Sequence, residues 1–310
     1  MQSKLSGNNL VSRPLPADFS FQALFSPNLE YVYFDQAEAV PFVAAADVFR
    51  IENAWWCAEA SYLAYVRDEA FVSNVLAKAG FTEVQMFDRG GTQGYLTAND
   101  DWALVAFRGT ERHELSDIIA DLKIGMVPIN GRGKVHQGFK EALDEVWGDL
   151  HQTLLSLLRE RPSRPVWFTG HSLGGALAVL AGARFPAARG VFTFGCPRIG
   201  NWTFRQFYPV SCYRVVNNND FIALLPPPLF YRHVGELHYI NALGRLTRKP
   251  GWRRKLTDGL RGAYWHLQWI LREKGLRLYD QVILDHVADH APVFYATHLW
   301  NELVRRYDRE

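Results

Sequence analysis

Two periods of hydrophobic and polar residues alternate along the chain and predict its elements. From Pro41, apolar residues recur at spacings of three and four: Phe42, Val43, Ala46 and Phe49, then Ala54, Trp55, Ala58, Ala60 and Leu63. The spacing predicts one or two helices there. A further helix is predicted over 71–79, stopped by Gly80, because glycine readily takes the left-handed conformation that ends a helix. At 81–87 the period changes to two and predicts a strand. Residues 94–98 and 102–107 flank Asn99-Asp100-Asp101, whose turn-forming side chains predict a hairpin.

Beyond the hairpin, Leu115, Ile118, Ile119 and Leu122 make a short amphipathic piece, followed by a glycine-rich loop. A long helix is predicted from about 138 to 160, with Leu143, Val146, Trp147, Leu150, Leu154 and Leu158 on one face. Short apolar runs at 166–169, 190–194 and 212–216 predict strands, and 238–240 a late one. Strands alternating with helices predict an α/β fold: a mostly parallel sheet with helices on both faces. The expected organisation is one domain over 1–310. Residues 1–40 form an irregular N-terminal arm. Residues 245–280 form a basic helical insertion, in which Arg253, Arg254, Lys255 and Arg261 interleave with Trp252, Tyr264, Trp265 and Trp269.

Composition narrows the classes. With 48% hydrophobic residues in 310, a sizeable core is available and disorder is not expected. A net charge of +2 argues against a dedicated nucleic-acid binder. The three cysteines, Cys57, Cys196 and Cys212, form neither a disulfide framework nor a metal pattern. No cofactor and no metal are expected. Met1 to Ser20 contains no apolar run of signal-peptide length, and no stretch is long enough to span a bilayer. A cytoplasmic location is therefore the default expectation, with export by a route that reads no N-terminal signal still compatible.

The densest chemistry lies in Val166-Trp167-Phe168-Thr169-Gly170-His171-Ser172-Leu173-Gly174-Gly175-Ala176. An apolar run, a Gly-x-Ser-x-Gly pentapeptide and a row of small residues predict strand, sharp turn and helix. Gly170 and Gly174 leave room for a tight turn that lifts the Ser172 hydroxyl out at the positive end of the helix. Ser172 is thus the candidate nucleophile for acyl transfer. A serine hydroxyl needs a base to take its proton, and the base needs an acid behind it. In an open α/β sheet these follow in the order Ser, Asp, His. Asp220 stands just past the strand at 212–216 and is the candidate acid. Three histidines, His286, His290 and His298, are candidates for the base. His290 precedes Ala291-Pro292, which suits a loop entering a helix, and is preferred. An oxyanion hole requires two donors. The N–H of Leu173 is one. Thr110, after the strand ending in Phe107-Arg108-Gly109, is the other. His136 and His171 read as structural, and Cys196 as a packed residue.

Five motifs occur in order: Phe107-Arg108-Gly109-Thr110, Val135-His136-Gln137-Gly138-Phe139, Thr169 to Ala176, Phe194-Gly195-Cys196-Pro197-Arg198-Ile199-Gly200-Asn201, and Asn219-Asp220 with Leu225-Pro226-Pro227. Together they resemble the class 3 lipases, the α/β-hydrolase family of the fungal triacylglycerol lipases. The resemblance implies an esterase or lipase using Ser172, Asp220, Thr110 and Leu173. The family's histidine often follows Asp and precedes Tyr by five residues, which Asp289-His290 and Tyr295 match. His298-Leu299-Trp300 echoes the fungal His-Leu-Trp and keeps that alternative open. The piece at 115–122 stands where fungal members carry a lid. The partner implied is a lipid or small ester. The basic stretch 245–280 adds possible contact with a membrane surface, as a phospholipase A or a non-catalytic lipid-binding module would make.

Overall fold

The central strands bury both faces, and their alternation divides the interior into two cores. In a computed structural model of the chain, described here for residues 10–109, 125–248, 250–251, 253, 257–261 and 285–308, ten strands are formed. They are β1 Glu83–Arg89, β2 Thr92–Ala98, β3 Ala103–Phe107, β4 Met126–Pro128, β5 Lys134–His136, β6 Val166–His171, β7 Gly190–Phe194, β8 Cys212–Asn217, β9 Glu236–Ile240 and β10 Leu246–Arg248. Eight build one sheet in the order β1-β2-β3-β6-β7-β8-β9-β10. The pairs from β3 to β9 are parallel, and antiparallel pairs close both edges. Strands β4 and β5 pair separately within a stretch that the sequence suggests is loop.

Successive strand residues point to opposite faces. Ala103, Val105, Phe107, Val166, Phe168 and Val191 therefore face one core, and Leu104, Ala106, Trp167, Phe192 and Val215 the other. The first core is covered by α4 (Gln137–Glu160) and α5 (Leu173–Arg184). Helix α4 turns Leu143, Val146, Leu150, Leu154 and Leu157 inward. Helix α5 lies close to the sheet because its Gly174, Gly175, Ala176 and Ala178 are small and buried. The second core is covered by α2 (Ile51–Leu63) and α8 (Pro292–Tyr307), where Trp55 and Trp300 meet with ring centroids 4.7 Å apart. The shorter helices are α1 Phe21–Phe25, α3 Glu69–Lys78, α6 Trp202–Gln206 and α7 Asp285–Ala288.

Residues 41–50 are not helical, against the expectation from their spacing. They form a turn at 44–45 and a bend at 47–48, and their carbonyls are used by the body: Ala44 accepts from Trp167 Nε1, and Ala45 and Ala46 accept from the Arg189 guanidinium. Phe42 stacks on Trp102 and Phe49 on His238. Tertiary contacts thus use the same apolar side chains without a helix. The segment ahead of residue 40 contains α1, and its Leu24, Tyr33 and Phe34 are buried. The amphipathic piece at 115–122 and most of the basic stretch 245–280 lie outside the described residues.

Candidate active site

Strand β6 ends at His171, and Ser172 begins the turn into α5 with φ 57° and ψ −127°. A side chain at positive φ is costly, by about 1–3 kcal/mol, and the surroundings hold it there. The Ser172 N–H donates to the Phe194 carbonyl at 2.9 Å, and the Ser172 carbonyl accepts from Gly175 N–H at 3.0 Å. A Cβ on Gly174 would come within 2.2 Å of the Phe107 carbonyl oxygen, so only glycine lets α5 pass so close to β3.

Three side chains distant in the sequence meet at the carboxyl end of the parallel strands. The His290 Nε2 lies 2.9 Å from Ser172 Oγ, and its Nδ1 lies 2.9 Å from both carboxylate oxygens of Asp220. Ser172 and Asp220 are 2% exposed and His290 is 1% exposed. Gly195 packs on this junction: a Cβ there would stand 2.5 Å from Asp220 Oδ2 and 2.8 Å from His290 Nδ1.

A buried carboxylate needs donors. Asp220 Oδ1 accepts from the Ile222 N–H at 3.0 Å, and Oδ2 accepts from the Tyr295 hydroxyl. Burial, then the Asp220 charge, pushes the Tyr295 hydroxyl well above its ordinary pKa, so it stays a donor. Asp289 ties the loop of Asp220 to the loop of His290. Its carboxylate accepts from Asn219 N–H and Asn218 Nδ2, each at 3.0 Å, and its carbonyl accepts from Asn217 Nδ2 at 3.0 Å.

His171 bridges Tyr65 and the His290 backbone. Its Nε2 lies 2.6 Å from the His290 carbonyl and its Nδ1 2.7 Å from the Tyr65 hydroxyl. A carbonyl only accepts, so Nε2 carries the hydrogen and Nδ1 accepts from Tyr65. Burial, reinforced by His290, keeps this imidazole well below its usual pKa and therefore neutral.

His298 lies inside α8, stacked on Phe294, with Gly244 packed against its ring. The His286 side chain and Thr110 lie outside the described residues. Leu173 is the first residue of α5, where the opening N–H groups have no intrahelical partner. Burial pushes the Cys196 thiol up, away from nucleophilic thiolate. Among the described residues, no group of His, Cys, Asp or Glu could hold a metal ion. From the sequence His171 reads as structural and Asp289 as part of a motif, but the bonds they and Tyr65 make have almost no local signal. Their one trace is the run Asn217-Asn218-Asn219, which reads there as a turn.

A serine at a strained strand-to-helix turn, with histidine and aspartate from later loops of a mostly parallel sheet, defines the α/β hydrolases. The sequence model of the family "Lipase (class 3)" matches residues 104–230. Over that stretch, which is less than half of the chain, the chain is similar to the class 3 lipases. It is 32% identical over 167 residues to a lipase of Rhizopus niveus, which is 49% of this chain and 42% of that protein. It is 35% identical over 116 residues to the secreted mono- and diacylglycerol lipase 1 of Fusarium solani, 34% of each. The structure is similar to that of the Rhizomucor miehei triacylglyceride lipase, with a TM-score of 0.53 and 26% identity over 60% of this chain and 78% of that one. The matched stretch thus spans less than half the length of these two sequence relatives.

The expectation of a cytoplasmic location is corrected by these relatives. The Fusarium solani protein is secreted by name, and such relatives point outside the cell. The three cysteines are free and buried, and a buried thiol needs no reducing compartment to stay single. No helix among the described residues is long and apolar enough to cross a membrane.

Proposed function

We propose that the chain hydrolyses carboxylic esters of lipids through an acyl-enzyme on Ser172. The observation that carries the proposal is the continuous path from Ser172 Oγ to His290 Nε2 at 2.9 Å and from His290 Nδ1 to Asp220 at 2.9 Å. The serine oxygen attacks the ester carbonyl while its proton passes to Nε2. The tetrahedral intermediate collapses, and the departing alkoxide takes that proton. Water then attacks the acyl-serine, giving its proton to the same nitrogen, which returns it to Ser172. Asp220 holds Nδ1–H and stabilises the imidazolium of each step. The negative oxygen of each intermediate is assigned to the Leu173 N–H, with Thr110 as the second donor.

Acylglycerols are the proposed substrates, as in the names of the relatives, and the proposed place of action is extracellular. Residues 1–310 are taken as one hydrolase domain. Action at a membrane surface on phospholipids is the second reading. It is favoured by the helical turn at 257–261, whose Gly259 carbonyl accepts from Asn219 Nδ2 beside the proposed acid. Leu260 on that turn is 66% exposed, and Arg261 is exposed next to it. The test is turnover of p-nitrophenyl esters, triglycerides and phospholipids by the protein and by Ser172→Ala. Turnover lost in Ser172→Ala supports the mechanism, and equal turnover in both overturns it. Phospholipid cleavage faster than triglyceride cleavage decides for the second reading.

A further inference from the structure

The segment ahead of α2 lies outside the stretch 104–230 matched by the family, yet it reaches the reacting imidazole. Phe25 ends α1, and its ring centroid is 6.3 Å from that of His290 at an interplanar angle of 33°. That is within the range of an aromatic pair. Phe25 is 7% exposed and its neighbour Leu24 fully buried.

The segment is fastened so that this placement is fixed. Phe19 lies 5.7 Å from Phe294 of α8. Upstream, Trp300 Nε1 donates to the Val11 carbonyl at 2.7 Å, and Asn301 both donates to and accepts from the Arg13 backbone. The Arg13 guanidinium meets the buried Glu59 at 2.5 Å. Glu59 also accepts from Tyr31, from Trp55 Nε1 and from the Phe34 N–H. A buried charge so fully paired is strongly destabilising to break, so the strap is part of the folded body.

The position of Phe25 relative to the chemistry follows from the role of the base. In the mechanism above, His290 Nε2 must protonate the departing oxygen, so the alcohol half of the ester passes within hydrogen-bond reach of the imidazole. A side chain seated against that imidazole meets the alcohol rather than the acyl chain. We infer that Phe25 is a specificity-determining residue that walls the alcohol side of the site and limits the bulk of the leaving alcohol. The inference rests on the ester-hydrolase reading. In the second half-reaction water replaces the alcohol, so Phe25 acts on acylation and not on deacylation.

The experiment compares wild type, Phe25→Ala and Phe25→Leu on butyrate esters of methanol, 1-butanol and benzyl alcohol, and on p-nitrophenyl esters from acetate to octanoate. Phe25→Ala is expected to raise kcat/KM for benzyl over methyl butyrate roughly tenfold, the scale of steric discrimination in an apolar pocket. Phe25→Leu is expected to fall between, and the acyl-length profile to stay parallel to wild type. An equal fall on every ester overturns the assignment, as does a shifted acyl profile with a flat alcohol profile. Should Phe25→Ala fail to fold, the Phe25→Leu profile decides by the same criteria. Absence of wild-type ester turnover rejects the enzyme reading itself, and this assignment with it. Turnover with an unchanged alcohol profile rejects this assignment alone.

Discussion

The carboxylate of Asp289 accepts the backbone N–H of Asn219 at 3.0 Å, and so joins the residue before His290 to the residue before Asp220. The two loops carrying His290 and Asp220 are thereby fixed to each other as well as to the sheet. Hydrogen bonds to a charged acceptor contribute about 1.5–3 kcal/mol each. Asp289→Ala is expected to lower ester kcat by about tenfold to a hundredfold, since small misplacements of reacting groups cost on that scale. Asp289→Asn, which keeps an acceptor, should retain more activity. Steady-state kinetics of the two variants check the order, and equal activity in both contradicts it.

Tyr295 donates to Asp220 from within α8. Tyr295→Phe keeps the ring and removes one donor from a buried carboxylate. Urea denaturation should show a loss of about 1–3 kcal/mol, and kcat should fall more than KM rises, because the ring leaves the substrate space unchanged. A variant as stable and as active as wild type would show that the hydroxyl is dispensable.

The backbone of Ser172, at φ 57°, suits glycine better than any other residue. Neither Ser172→Gly nor Ser172→Ala has a hydroxyl for turnover, but they should differ in stability. Ser172→Gly releases the strain and should unfold at higher denaturant than Ser172→Ala, by about 1 kcal/mol. The reverse order would mean that the turn stores no strain.

Stability should depend on pH through buried neutral histidines. The His171 imidazole is held well below its ordinary value by burial, and His238 is lowered to about 4 by burial too. For His238, the Glu236 carboxylate at 3.1 Å opposes the shift, while Arg248 and Arg306 favour it. In the unfolded chain both take up a proton near pH 6.5. Below that pH the unfolded chain binds more protons than the folded one, so stability is full above pH 6.5 and falls toward pH 4. The slope is at most about 1.4 kcal/mol per pH unit for each group. Urea midpoints at pH 7, 5.5 and 4.5 measure the slope, and His171→Asn should reduce it.

Much of the fold is legible in the residue pattern. The hairpin about Asn99-Asp100-Asp101, the inward leucines of α4 and the turn at Ser172 are local signals, each contained in a window of residues that forms the element. The stretch 41–50 misleads because helical spacing records only that apolar side chains recur. Here they serve Trp102 and His238 across space, with the intervening carbonyls taken by Trp167 and Arg189. The β4–β5 pair escapes notice because strands of three residues carry no period. Ser172 and Asp220 can be nominated from motif and chain order, and His290 preferred among three histidines by the Ala291-Pro292 that follows it; the structure brings the three together. The bonds made by their supports cannot be, since Asp289 and His171, though one is in a motif and the other reads as structural, act through contacts with distant loops. Phe25 lies so far ahead of the motifs that no spacing connects it to His290.

His171 is covalently joined to Ser172 and also holds the carbonyl of His290 through its ring. Ser172 and His290 therefore share a short linkage through one residue. Substitution of His171, or of Tyr65 that holds its ring, should thus shift Ser172 and His290 relative to each other before it disturbs the rest of the body.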